Sequence, residues 1–214
     1  MKTRIALLSL LTIACLVLAV APAMADTYTN GPINGTADGW TINFGYSVSD
    51  SFTLASNDTA VTAFHFNYWD ANPSDLLTTA DLAIGTTSFG GTINPGVAFT
   101  STFISTNQFG YGLYQADATG LSIPWVGGAG YATLSNACST SGCSVSNPIY
   151  WDENSGGSTA YQDTLGSIPS ESFTISGTAG GTVPPPGTPE PSSIMLFGSG
   201  ILGLAGVLRR KLTR

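Results

Sequence analysis

Residues 60–69 read Ala-Val-Thr-Ala-Phe-His-Phe-Asn-Tyr-Trp. Phe64, Phe66 and Tyr68 share one parity, and His65, Asn67 and Trp69 share the other. That period of two belongs to a strand, whose successive side chains reach opposite faces of a sheet. Trp40, Ile42, Phe44 and Tyr46 repeat the pattern, with Thr41, Asn43 and Gly45 between them. Further on, Val97, Phe99, Phe103 and then Phe173 and Ile175 continue the short β-branched and aromatic runs, bounded by Gly, Asn, Asp or Pro. The spacing predicts strands at Trp40–Val48, Ser51–Leu54, Ala60–Trp69, Asp81–Thr87, Ala98–Ser105, Phe109–Gln115, Ala129–Asn136, Pro148–Trp151 and Glu171–Ser176. About nine strands with short connections predict an all-β fold, an antiparallel β-sandwich of jelly-roll type. The one segment with a helical turn in its pattern is Pro73–Thr79.

Composition supports a buried core. Charged residues are few, but Trp40, Trp69, Trp125 and Trp151 accompany ten Phe and eight Tyr, enough large apolar groups to fold around. The cations are confined to the ends: Lys2, Arg4, Arg209, Arg210, Lys211 and Arg214 are all six of the Lys and Arg residues. Twelve of the thirteen acids lie between Asp26 and Thr188, so this stretch of about 160 residues carries a formal charge of −12. Phosphate binding needs cationic side chains, so nucleic acid is excluded as a partner and anionic substrates fit poorly. Schiff-base chemistry is excluded for want of lysine. Calcium, neutral glycans and cationic surfaces stay open.

The N-terminus pairs a positive start, Lys2 and Arg4, with an apolar run from Ile5 to Val20. Ala23 and Ala25 then place small residues where signal peptidase requires them, so residues 1–25 read as a signal peptide cleaved before Asp26. Cys15 lies within the apolar run, followed by Leu16, Val17 and Leu18, which favours an ordinary signal-region cysteine over a lipid-modified one. At the other end, residues 192–208 are almost wholly apolar and rise about 25 Å as a helix, the short limit for crossing a bilayer. Arg209, Arg210 and Lys211 form a basic stop that would stay cytoplasmic. Residues 26–177 make up the β domain, and the Gly, Thr and Pro-rich residues 178–188 are a spacer before the tail.

Directly before the apolar tail stands Pro189-Glu190-Pro191. The tripeptide, the apolar Ile194–Leu208 and the basic Arg209-Arg210-Lys211, in that order at the end of an exported chain, resemble the PEP-CTERM sorting signal of Gram-negative bacteria. The resemblance spans residues 189–214. It implies recognition of Pro189, Glu190 and Pro191 by an exosortase, an inner-membrane enzyme that resembles cysteine transpeptidases. Such an enzyme would cut near the motif and pass the protein toward the cell surface or exopolysaccharide. The inner membrane would then be a transient station. The resemblance is silent on what the exported domain does.

Within the domain, Cys138 and Cys143 are the two cysteines expected in the mature protein, and an oxidising compartment favours a disulfide between them, closing a small polar loop. His65 is the only histidine, too little for zinc or a paired metal site, and it reads as a half-exposed strand residue. Glycoside hydrolysis would need two facing acids. Asp152 and Glu153 follow the aromatic Tyr150-Trp151, but adjacent strand residues point to opposite faces, so Asp70 or Asp75 would have to supply the second. Two acidic, amide-rich loops, Asp70 to Asp75 and Asp152 to Gly157, offer hard oxygens suited to Ca²⁺, with Asp70, Asp75, Asp152 and Glu153 as ligands; turn chemistry alone accounts for such residues and is the preferred reading. The sequence thus points to an exported, non-enzymatic surface or matrix protein, without a required cofactor, that associates with exopolysaccharide. A carbohydrate-active enzyme and a carbohydrate-binding module are the alternatives.

Overall fold

Alternation makes Asp58–Asp70 one of the two longest strands: Phe64, Phe66 and Tyr68 are buried, while His65 and Asn67 between them keep partial exposure on the other face. The computed structural model describes residues 26–34, 38–143 and 147–179. The signal segment, most of the spacer and the sorting tail lie outside the described residues, as do Ala23, Ala25, Pro189, Glu190, Pro191, Arg209, Arg210 and Lys211. Among the described residues the strands, in chain order, are β1 (Asp26–Thr29), β2 (Gly39–Thr41), β3 (Ser47–Leu54), β4 (Asp58–Asp70), β5 (Leu77–Gly85), β6 (Thr92–Ala98) and β7 (Thr100–Thr106). After them come β8 (Gly112–Pro124), β9 (Gly128–Ser139), β10 (Ile149–Asp152), β11 (Ala160–Gln162), β12 (Gly166–Ile168) and β13 (Phe173–Ala179). The described fold is all-β, and every strand pairing is antiparallel.

Two sheets share the strands. In the first, β4 is central: β8 runs along one edge, and β13 and β10 follow one another along the other. β1 extends the sheet beyond β13, β2 beyond β10 and β7 beyond β8. The second sheet has the order β12-β11-β3-β9-β5-β6. One core draws on both. The first sheet contributes Phe64, Phe66, Trp151 and Phe173, whose ring centroids lie 5.7–6.0 Å apart in tilted, stacked and edge-on pairs. The second contributes Val48, Phe52, Leu82 and Leu134, all buried. Aromatic contacts of this kind add to the area term that drives collapse.

Several boundaries differ from the sequence expectation for local reasons. The run Trp40–Val48 is broken, because Phe44 (φ 58°) and Gly45 (φ 84°) both take left-handed backbone and Tyr46 N–H closes on the Asn43 carbonyl at 3.1 Å. That is a tight turn of the kind glycine permits, and it carries the chain from β2 in one sheet to β3 in the other. Ile42 therefore reaches the core, whereas Phe44 and Tyr46 stand exposed. The helical turn over Pro73–Thr79 does not form; Leu77 to Thr79 already belong to β5. β13 continues to Ala179, two residues into the stretch read as spacer.

Candidate functional site

Four aromatic side chains converge where β4 ends beside β10. Trp69 and Tyr150 are direct cross-strand partners, and side chains opposed in this way on one face are neighbours. The loop between β7 and β8 adds Phe109 and Tyr111. Asn107 builds that loop: its Oδ1 accepts the N–H groups of Phe109 and Tyr111, both at 2.9 Å, and Gly110 takes φ 83° to complete the turn. Tyr111 and Tyr150 lie nearly parallel with centroids 6.1 Å apart, and Trp69 sits 6.2 Å from Phe109. With Asp38 and Gly39 these residues line an open groove of about 320 Å³. Gly39 is needed there for space, since a Cβ would meet Tyr150 Cβ at 2.9 Å and the Trp151 carbonyl at 3.0 Å.

The floor of the groove is fixed from below. Trp69 Nε1–H donates to Asp152 Oδ1 at 2.5 Å, and Asn34 N–H donates to Asp152 Oδ2 at 2.9 Å. Asp152 is fully buried, so it orients the indole instead of facing a ligand. Burial, then Tyr111 and Asp38, raise the Tyr150 hydroxyl above its ordinary pKa, which keeps it a neutral donor and acceptor. Glu153, next along the chain, is raised by burial first and by Asp38. Its backbone pairs with Glu171 in an isolated antiparallel bridge. Asp38 is the carboxylate that lines the groove.

The remaining candidates from the sequence fall elsewhere. Asp70 and Asp75 bracket the β4–β5 connection, where Asp75 raises the pKa of Asp70 after burial does, while Asp152 and Glu153 lie at the far end of β10 and do not join them. Among the described residues no three His, Cys, Asp or Glu side chains converge to hold a metal ion. Cys138 and Cys143 form a disulfide with Cα atoms 4.1 Å apart. His65 Nδ1 meets Asp117 Oδ1 at 2.6 Å on the outer face of the first sheet, both side chains partly exposed. Of the aromatic pair Tyr150-Trp151 that precedes Asp152 and Glu153 in sequence, Tyr150 lines the groove, whereas Trp151 is fully buried in the core and offers no platform. Sequence reasoning did not bring in Phe109, Tyr111 or Asp38, because their meeting depends on β10 pairing with β4 some 80 residues earlier in the chain. The local signal that could have found the loop is Asn107 with Gly110, a turn placed to present two aromatics.

Comparison with protein families finds that residues 187–211 match the PEP-CTERM protein-sorting motif. The matched stretch contains Pro189-Glu190-Pro191 and ends on the basic Lys211. The chain therefore carries a signal for exosortase-dependent sorting, with exosortase as its processing partner and export across the membrane to the cell surface as its route. Comparison with curated proteins finds no match.

Proposed function

We propose that this chain is a non-enzymatic protein of the cell surface or extracellular matrix whose aromatic groove holds a neutral segment of exopolysaccharide. The observation that carries the reading is the convergence of Trp69, Phe109, Tyr111 and Tyr150 beside the single carboxylate of Asp38. Flat apolar faces ringed by a few polar groups suit a sugar ring, which presents C–H bonds on its faces and hydroxyls at its rim. A domain without Lys or Arg repels anionic polymers and favours neutral ones. Hydrolysis would require a second carboxylate in the groove, and Asp152 beneath it is buried and already bonded to Trp69 and Asn34. In this reading the two sheets form a jelly-roll-like sandwich. Residues 1–25 are removed by signal peptidase, and residues 192–208 hold the chain in the inner membrane until exosortase releases it.

The test is binding of full-length protein, in detergent, to the neutral and charged fractions of bacterial exopolysaccharide. Tyr150→Ala combined with Phe109→Ala, which leaves Asp152 and the core untouched, is expected to weaken binding at least roughly tenfold, the equivalent of about 1.4 kcal/mol. Unchanged affinity in the double variant would rule out the groove. Release of reducing sugar from the polymer would instead establish an enzyme.

A further inference from the structure

Asp70 ends β4, and Asp75 stands two residues before β5; both are sealed from solvent, at 0 % and 1 % exposure. One oxygen of each is satisfied. Asp70 Oδ1 accepts Asn72 N–H at 2.7 Å, and Asp75 Oδ1 accepts the Thr140 hydroxyl at 2.8 Å and Ser141 N–H at 2.9 Å. The other oxygen of each, Asp70 Oδ2 and Asp75 Oδ2, is buried with no hydrogen-bond partner. The two groups share one tight turn: Asn72 N–H donates to Asp70 Oδ1, the Asn72 carbonyl accepts Asp75 N–H at 2.9 Å, and the Tyr114 hydroxyl donates to the Pro73 carbonyl between them at 2.6 Å.

A buried carboxylate oxygen with no donor has lost its hydration without replacement, a cost of kcal/mol order, and a second like charge beside it adds repulsion. No Lys or Arg exists between Asp26 and Thr188 to neutralise the pair.

We propose that Asp70 and Asp75 hold a divalent calcium ion through these two unpartnered oxygens. Two carboxylates balance its charge, and neutral oxygens of the 70–75 loop and water suit the rest of a calcium shell. The donor chemistry excludes softer metals, because Cys138 and Cys143 are in the disulfide and His65 is paired with Asp117. With only two charged ligands the affinity belongs with extracellular modules, roughly 10⁻⁴–10⁻³ M. The proposal also assigns the disulfide a task. Thr140 and Ser141 lie within the loop that Cys138 and Cys143 close, so the bridge holds the donors that fix Asp75.

The experiment uses the full-length chain in detergent, stripped with EDTA and titrated with Ca²⁺, with Mg²⁺ as control. At tenfold excess over Kd, Ca²⁺ is expected to raise Tm by roughly 3–5 °C. Asp70→Asn should abolish that shift while melting no lower than wild type in EDTA, since it removes half of an uncompensated pair; Asp75→Asn should abolish it as well but melt somewhat lower in EDTA, because Thr140 and Ser141 donate to its anion. Bound Tb³⁺, sensitised by the nearby Tyr68 and Tyr114, should be displaced by Ca²⁺ in wild type, which tests the site without any variant. An absent Ca²⁺ shift, a shift retained in both variants, or Tb³⁺ luminescence that Ca²⁺ does not displace would each overturn the proposal.

Discussion

Glu171 is fully buried, and neither of its carboxyl oxygens has a hydrogen-bond partner. Burial above all, then Asp50, Glu153, Asp152 and Asp38, raise its pKa well above the ordinary glutamate value. Asp50 approaches it from β3 and takes the local donors for itself. Its Oδ2 accepts Glu171 N–H and the Ser158 hydroxyl, both at 2.7 Å, and its Oδ1 accepts Ser51 N–H at 2.6 Å. The interior thus sorts two acids into unlike roles, with Asp50 able to ionise among donors and Glu171 retaining its proton. A folded-state pKa above the unfolded one gives stability that is whole below the unfolded value and is lost as pH rises toward the folded one. Glu171→Gln, which is neutral at every pH and similar in shape, should leave Tm unchanged near pH 4 and raise it at pH 8. Thermal melts at the two pH values decide this. A variant that melts lower than wild type at pH 8 would mean the anion is wanted there.

At the scale of elements, the disulfide loop ties β9 to the start of β5: Thr140 N–H donates to the Leu76 carbonyl at 2.8 Å, and Leu76 N–H returns to Thr140 Oγ1 at 3.2 Å. Closing so short a loop constrains the unfolded chain by about 2 kcal/mol. Replacing Cys138 and Cys143 together by Ser should therefore lower unfolding stability by about that amount, read as a drop in the urea midpoint with the slope unchanged. Loss of the Thr140 contacts would make the drop larger. The cysteine pair was legible because nothing else in the domain competes for those thiols. Strand β4 was legible too, because its alternation runs unbroken from Phe64 to Trp69. Trp40–Tyr46 shows the same alternation and yet turns at Phe44 and Gly45, since period alone does not record the sign of φ. β11 and β12, three residues each, are too short for any period to show. The acids were the least legible. Local reading places Asp in turns, whereas Asp50, Asp70 and Asp152 are strand residues with no exposure, and Asp50 and Asp152 take donors from Ser158, Glu171, Trp69 and Asn34, remote in sequence.

For the whole molecule, the distribution of charge sets the response to pH. A typical acidic domain loses carboxylate–cation pairs on acidification, but between Asp26 and Thr188 there is no Lys or Arg to form them. The one ion pair among the described residues is His65–Asp117, exposed enough to contribute little. The interior pulls the other way: Asp50 and Asp70 are raised from 3.8 to about 6, chiefly by burial, and Glu171 is raised further. Between roughly pH 4 and 6 the folded state therefore binds more protons than the unfolded state, so stability falls as pH rises through that window. Self-repulsion among twelve carboxylates acts in the same direction. Asp75, lowered by its hydroxyl and amide donors, opposes this only below its ordinary value near 3.8. The expected Tm is highest near pH 4, lower at pH 6 and lower again at pH 8. Ca²⁺ added at pH 7 should recover part of the loss by neutralising Asp70 and Asp75, and should do nothing at pH 4, where Asp70 carries a proton. A melting profile in EDTA that is flat or rises from pH 4 to pH 7 would show that the buried acids are not the groups that set the stability of this domain.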